Sequence, residues 1–299
     1  MPELPDVSLY IARLAERVVG QTVTGLKIYS PFVLRSTSVA PNELIGARVL
    51  SVSRLGKRIV LELKRDFYIL VHLMIAGRFV WKEGLPELGK PSKVELFRIL
   101  FSNGVLSLNE ASHKKRAGLW LIRGADGLAE HRRAGLDVFE VSVEQFRERI
   151  KAENRTLKRT LTDPAAFDGI GNAFSDEILF AAKLSPMKLT KSLSDEEIDR
   201  LLNACRAVLG DWIAKLQHDV KGFPKPSQVT AFRKEFFVHG KFGDACKVCG
   251  APIQRIVASE NEMNYCARCQ NDGKILADRS LSRLLKDDWP RSIDELMTE

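Results

Sequence analysis

The sequence predicts an α+β protein of more than one domain, on three observations. Between about Val23 and Arg123 the apolar residues fall into many short β-type runs. After about residue 125 the composition turns helical and charged, and near the carboxyl end stand two Cys-x2-Cys pairs. At 299 residues the chain exceeds one ordinary domain of roughly 100 to 200 residues. Its hydrophobic content of 45% is that of a folded globular chain, which excludes disorder for most of its length. No run approaches the roughly 18 apolar residues of a membrane span. The opening Met-Pro-Glu-Leu-Pro-Asp is neither basic nor apolar, so a cytoplasmic protein without a membrane partner is expected.

From Asp6 onward Val7, Tyr10, Ile11, Leu14 and Val18 recur at helical spacing and Gly20 follows as a stop, which predicts a first helix with one buried face. Strands are predicted at Val23–Tyr29, Arg48–Val52, Arg58–Leu63, Phe67–Leu73 and Leu96–Phe101. Ser102-Asn103-Gly104 then marks a hairpin, because Asn and Gly tolerate the positive φ of a tight turn. Runs this short and numerous favour an antiparallel sandwich or barrel over a parallel sheet with crossover helices. A boundary falls within about 125–152. Helices follow at about 155–163, 175–183 and 194–217, the last opened by Ser194 and Glu197 at capping-box spacing. Its apolar stripe includes Cys205, read as a small buried core residue. Residues 221–233 hold two prolines and a glycine and read as a loop, whose composition also suits a lid. In the tail, Ile275, Leu276, Leu281, Leu284 and Leu285 predict a short amphipathic helix ending before Pro290.

Cys246-x2-Cys249 and Cys266-x2-Cys269 have the spacing at which two knuckles place four thiolates around one tetrahedral metal. Two disulfides would need an oxidising compartment, so one structural zinc is expected. Thiolates fill all four positions, leaving none for a reactive water. Lysine and arginine number 46 against 38 acidic residues, a net charge of +8. That balance fits a nucleic-acid binder, a membrane-surface protein or a basic soluble enzyme alike.

The amino terminus is a second constellation. Loss of Met1 leaves Pro2 with a secondary amine, whose reference pKa near 8 keeps a useful fraction unprotonated, and Glu3 adjoins it as a proton donor. Read alone, Met-Pro signals no more than removal of the initiator.

These features occur together in an order that resembles the formamidopyrimidine-DNA glycosylase and endonuclease VIII family of base-excision repair enzymes. The resemblance spans residues 1 to about 270. It rests on Pro2-Glu3-Leu4-Pro5-Asp6-Val7, Gly56-Lys57-Arg58, His72-Leu73, Gly169-Ile170-Gly171-Asn172 and the four-Cys finger. It implies a two-layered β-sandwich with flanking helices over 1–130, a helix-two-turn-helix domain over 131–235, a zinc finger over 236–270 and an extension of unassigned role over 271–299. DNA would lie in the cleft between the two main domains. The resemblance further implies a bifunctional DNA glycosylase and abasic-site lyase, a monomer acting on damaged DNA. Pro2 would attack C1′ of an extruded nucleotide, Glu3 would move protons and Lys57 would give cationic support. Asn172 and Lys158 would anchor phosphates; read alone, Lys57 is a solvated charge, Asn172 a helix cap after a glycine turn and Lys158 an exposed helix charge.

Four departures qualify this. Asp6 stands where the family commonly has Glu. The positions that fill the vacated base stack align with Ile75, Lys115 and Ala117, and because Ala117 cannot wedge, Met74, Ile75 or Arg116 must do more; Ile75 also fits sheet core. The finger position that usually offers an Arg to phosphates is Asn261, leaving Arg255, Lys247 and Arg268 as other sources of charge. The tail 271–299 runs past the usual finger end. The departures at 117 and 261 support a rival reading, a catalytically weak structure-specific DNA-binding protein on the same fold. An RNA-binding zinc-ribbon protein is the distant third.

Overall fold

The structure, a computed structural model, describes residues 1–84, 89–258, 261–277 and 290–298. The chain forms two compact units, Met1–Arg133 with Trp212–Ala231, and Ala134–Asp211 with Phe232–Glu299.

The first unit opens with α1 (Leu4–Val18), two residues earlier than the apolar periodicity indicates. Pro5 fits the first turn, where its missing N–H costs no bond. Asp6 Oδ2 accepts from the Glu3 backbone N–H at 3.0 Å, closing the helix start. Eight strands follow: β1 (Val23–Ile28), β2 (Val49–Leu55), β3 (Arg58–Leu63), β4 (Phe67–His72), β5 (Gly77–Glu83), β6 (Glu95–Phe101), β7 (Gly104–Glu110) and β8 (Gly118–Arg123). They make two antiparallel four-stranded sheets, β1-β6-β7-β5 and β2-β3-β4-β8. Ile59, Leu61, Ile69 and Val71 of one sheet share a core with Phe97, Ile99, Leu106 and Leu108 of the other and with Val7, Tyr10 and Leu14 of α1. Two open sheets around one core make a sandwich rather than a barrel. The outward Val60, Leu70 and Ile122 are covered by Leu128 of α2 (Ala125–Ala129).

The hairpin between β6 and β7 turns on Ser102 and Asn103, with Phe101 opposite Gly104. Neither Asn103 nor Gly104 takes a positive φ, so the reason given by turn chemistry is corrected. A Cβ on Gly104 would stand 2.4 Å from Trp81 Cζ2 and 2.7 Å from the Lys82 carbonyl oxygen. Glycine is there to let β5 approach.

In the second unit α3 (Val143–Lys151) is capped by Ser142, whose Oγ accepts from Gln145 N at 3.2 Å. After α4 (Leu157–Thr162) and α5 (Asn172–Ala181) comes the long α6 (Asp195–Asp219). Its capping box is as predicted, with Ser194 N donating to Glu197 Oε2 and Glu197 N donating to Ser194 Oγ. Cys205 is fully buried, and burial pushes its thiol up to about 12, which fits a core residue and not a nucleophile. The finger comprises the hairpin β9 (Gln254–Ala258) and β10 (Asn261–Tyr265) with the short α7 (Ala267–Gln270), and α8 (Ile293–Thr298) ends the chain.

The expected helical domain over 131–235 is divided here between the two compact units, residues 212–231 grouping with the first. Leu216 and Val220 pack on Leu9, and the Arg13 guanidinium donates to the carbonyls of Gln217 and Val220. Phe223 lies 5.8 Å from the Tyr10 ring with Arg17 above it, and Val229 is buried in the sandwich core. The segment read as a loop or lid is therefore fastened at two apolar points. The tail packs on the finger: Ile275, Leu276, Ile293 and Leu296 join its core, and Leu276 N donates to Tyr265 Oη at 2.8 Å. The rest of the helix predicted through Leu281, Leu284 and Leu285 lies outside the described residues.

Gly104→Ala should destabilise the first unit by about 2 kcal/mol, the cost of forcing a methyl group into packed surroundings. Urea denaturation of the purified protein measures this, and an unchanged midpoint would mean that Trp81 moves freely.

Candidate active site and nucleic-acid interface

Strand register decides which distant residues meet in the first unit. Arg58 pairs with His72, His72 with Gly118, and Gly77 with Glu110. The connections at 56–57, 73–76 and 111–117 therefore leave the same end of the sandwich. This gathers Lys57, Met74, Ile75, Lys115 and Arg116. His72, the last residue of β4, is pushed down to about 4, by burial first and then by Arg58, Arg133 and Lys57. It is a neutral imidazole at physiological pH, in a setting made cationic by its neighbours.

The amino group of the chain belongs to the same neighbourhood. Burial lowers its pKa from the ordinary value near 8; Glu3 and Asp6 oppose that shift, and Arg78 and Lys57 reinforce it. Pro2, Glu3 and Asp6 are all buried. Glu3, Asp6 and Lys57, and Arg78, which the sequence reading missed, are thus the charged neighbours of the amino group on Met1, next to Pro2. Arg78 also donates to the Ile75 and Gly77 carbonyls at 3.2 and 2.8 Å, tying the amino-terminal region to the 73–76 turn.

That turn is tight and strained. Gly77 N donates to Leu73 O at 2.9 Å, and a Cβ on Gly77 would meet that oxygen at 2.3 Å. Met74 has φ +52°, a left-handed conformation that costs a non-glycine residue about 1 kcal/mol. Ile75 is 51% exposed, so it is not sheet core. Beside it, the 111–117 loop is fixed by Glu110, which is 1% exposed. The Glu110 carboxylate accepts from Arg116 N at 3.0 and 3.1 Å and from Ala117 N at 3.1 Å, while the Lys115 ammonium contacts the Glu110 carbonyl. Ala117 is buried, and Arg116 is exposed. Glu110 was not singled out from sequence; an acid ending an apolar strand before a cationic loop was its only signal.

In the second unit Asn172 is the first residue of α5, with Gly171 as its N-cap, so Asn172 is not the cap. Its Nδ2 donates to the Glu262 carbonyl in β10 at 2.8 Å. Lys158 is 6% exposed, which corrects its reading as an exposed helix charge. Its ammonium bonds Asn172 O and Asp176 Oδ1, both at 2.6 Å. The other oxygen of Asp176 meets His239 Nδ1 at 2.7 Å and accepts from Asn264 N at 3.1 Å. The neighbouring Glu177 accepts from the backbone N–H groups of Phe237, Val238 and His239 at 2.8–2.9 Å. Burial raises the Glu177 pKa and those donors oppose the rise. Asp176, Glu177 and His239 were missed, although two adjacent acids inside an apolar helix were visible. Asn261 begins β10, and its side chain lies outside the described residues.

The four finger thiols lie within 4.8 Å of one another, with Cys249–Cys266 at 3.4 Å and Cys246–Cys269 at 3.9 Å. Tetrahedral Zn–S bonds of about 2.3 Å require sulfurs about 3.8 Å apart, so the residues fit one zinc. Burial pushes Cys266 up to about 11 and Cys269 further. A divalent cation is what makes four adjacent thiolates tenable.

In a β-sandwich unit followed by helices and a four-thiolate finger the chain has the parts of a DNA-repair glycosylase. Three family models match in succession: the formamidopyrimidine-DNA glycosylase N-terminal domain over residues 1–113, its H2TH domain over 137–221, and the zinc finger found in FPG and IleRS over 243–271. The chain belongs to the formamidopyrimidine-DNA glycosylase family. It is 28% identical over 276 residues to the enzyme of Carboxydothermus hydrogenoformans, covering 90% of this chain and all of that one. With the enzyme of Variovorax paradoxus it shares 29% over 279 residues, covering 90% and 100%. Among solved structures it resembles MutM in complex with DNA containing carbocyclic 8-oxo-G (26% identity, TM-score 0.79). It also resembles the Lactococcus lactis Fpg bound to DNA containing N7-benzyl-Fapy-dG (26%, TM-score 0.80). Each comparison covers 90% of this chain and all of the other.

Three outcomes are expected. Met74→Gly should stabilise the protein by about 1 kcal/mol by relieving the positive φ, read as a rise in melting temperature; a fall would mean that Met74 packing outweighs the strain. Elemental analysis should find about one zinc per chain. Cys249→Ser should lose that zinc and duplex binding while the first unit remains folded by circular dichroism.

Proposed function

We propose that this chain, a DNA glycosylase and abasic-site lyase of its family, works from its amino-terminal nitrogen on oxidised bases. The observation that carries the reading is the partly buried amino group, set among Glu3, Asp6, Arg78 and Lys57. That group is the one on Met1; loss of Met1 moves the terminus one residue on, to Pro2, whose secondary amine, unprotonated, attacks C1′ of a nucleotide drawn out of the stack. The glycosidic bond breaks, the base departs with a proton, and an iminium joins Pro2 to the opened sugar. The iminium acidifies C2′, whose deprotonation expels the 3′ phosphate and cuts the strand. Glu3 moves the protons. Lys57 and the cations around His72 hold the phosphate near the reacting sugar.

The remaining roles follow from position. Met74 and the exposed Ile75 fill the vacated stack, as apolar wedges do, and Lys115 and Arg116 lie along the backbone on the loop fixed by Glu110. In the second unit Asn172 and Lys158 anchor phosphates, Lys158 chiefly by holding the start of α5. Asn261 of the finger completes the set of DNA-binding residues. The partner is damaged DNA, met by a monomer in the cytoplasm. Among the described residues no helix is long and apolar enough to cross a membrane.

Borohydride reduction tests the mechanism, since it traps an iminium covalently. The mature protein should form an adduct at an abasic site, and a chain retaining one residue before Pro2 should bind the same DNA and form none. Full activity with a blocked terminus would remove Pro2 from the mechanism. The pH profile gives a second reading. Burial, Arg78 and Lys57 lower the pKa of the amino group on Met1; with the Pro2 amine in the same surroundings, adduct formation should rise with pH and level off below about pH 8, the ordinary amine value. Arg78→Gln removes a cation that favours the free base, so the rising limb should move to higher pH; an unmoved limb would place Arg78 outside the site.

A further inference from the structure

We propose that Arg255, braced on Phe242, is the cation with which the finger grips a DNA phosphate. The proposal deepens the reading above and rests on it. The other named cations of the finger are engaged elsewhere. Lys247 donates to the carbonyls of Glu235 and Phe236 at 3.0 and 3.1 Å and lies over the Phe237 ring. Arg268 pairs with Asp294 at 2.7 Å. Among the described residues Arg255 makes one long ion pair, 3.8 Å to Glu262 Oε2, and its side chain is 41% exposed.

Two features fit Arg255 for an anion. Its guanidinium lies 4.4 Å over the ring of Phe242, itself 53% exposed. Stacking on an aromatic face holds the planar group in one orientation without occupying its N–H donors, so less freedom is lost when a phosphate binds. Its place in β9 is the second feature. Arg255 pairs with Asn264 and shares a face with Glu262. The Glu262 carbonyl accepts from Asn172 Nδ2, and Asn264 N donates to Asp176. Arg255 thus lies on the hairpin whose outer strand, β10, is fastened by its backbone to α5, a helix whose N-terminal N–H groups also favour a phosphate. Phe242 lies in the turn before Cys246, so the zinc fold that shapes the finger also sets the brace.

The test uses the full-length, zinc-loaded protein and a duplex carrying a tetrahydrofuran abasic analogue, with affinity measured by fluorescence anisotropy between roughly 50 and 200 mM salt. Arg255→Ala should weaken binding about tenfold at intermediate salt and reduce the log-log salt slope by about one, the signature of one lost phosphate contact. Arg255→Lys should keep the slope and recover part of the affinity. Phe242→Ala keeps the charge, so the slope should stay while affinity falls about threefold, the scale of one exposed cation–π contact. Zinc content and melting temperature identify any variant that has lost its finger. An Arg255→Ala protein with normal zinc, normal melting and an unchanged slope overturns the proposal, as does a unit of slope lost in Lys247→Ala or Arg268→Ala instead. If the wild-type protein neither binds nor traps abasic DNA, the functional reading fails; if it does both and Arg255→Ala loses no slope, only the assignment of Arg255 fails.

Discussion

A carboxylate removed from water must be met by donors, and that requirement organises both units. Glu110 is met by the backbone N–H groups of Arg116 and Ala117. Asp176 takes Lys158, His239 and Asn264, and Glu177 takes three successive N–H groups at 237–239. Apart from Lys158 in α4 and Asn264 in β10, the donors sit on segments without regular structure. Leaving one of these acids unmet costs several kcal/mol, so the segments that carry Lys115, Arg116 and the finger hairpin are held in one arrangement.

The same balance of burial and charge sets the chemistry of the sandwich end. Burial alone would lower the affinity of both the amino group and His72 for protons, and the surrounding cations act in the same direction. The acids Glu3 and Asp6 oppose this at the amine but do not reverse it. A nucleophilic amine needs its lone pair, and a site for phosphate needs positive charge; here the second requirement helps to meet the first. Strain concentrates in the adjoining turn, where Met74 occupies a conformation suited to glycine and Ile75 is held out into solvent.

Elements whose physics is local were legible in the sequence. The run Arg58–Leu63 forms a strand with those bounds, Ser194 and Glu197 form their box, and the cysteine spacing brings four sulfurs within 4.8 Å. Pro2, Glu3 and Lys57 were legible only through their resemblance to a family, because a dipeptide and a lone lysine carry no physical signal. Gly104 was recognised as a turn for the wrong reason: its demand for space comes from Trp81, 23 positions away and on another strand.

Sequence alone determined the strands β1, β2, β3, β4 and β6, the helices α1, α4, α5 and α6, the finger and the order of the parts, since period-2 and period-3.6 patterns and Cys-x2-Cys spacing are set by neighbours a few residues apart. Tertiary structure decided that residues 212–231 return to the sandwich, that Lys158 is buried against Asp176, that Arg78 joins the amino-terminal site, and that Arg255 stacks on Phe242. These depend on which polar groups meet after the chain closes loops of tens to hundreds of residues. No local pattern encodes such a meeting, because the partners are chosen by strand register and by the need to satisfy each buried charge.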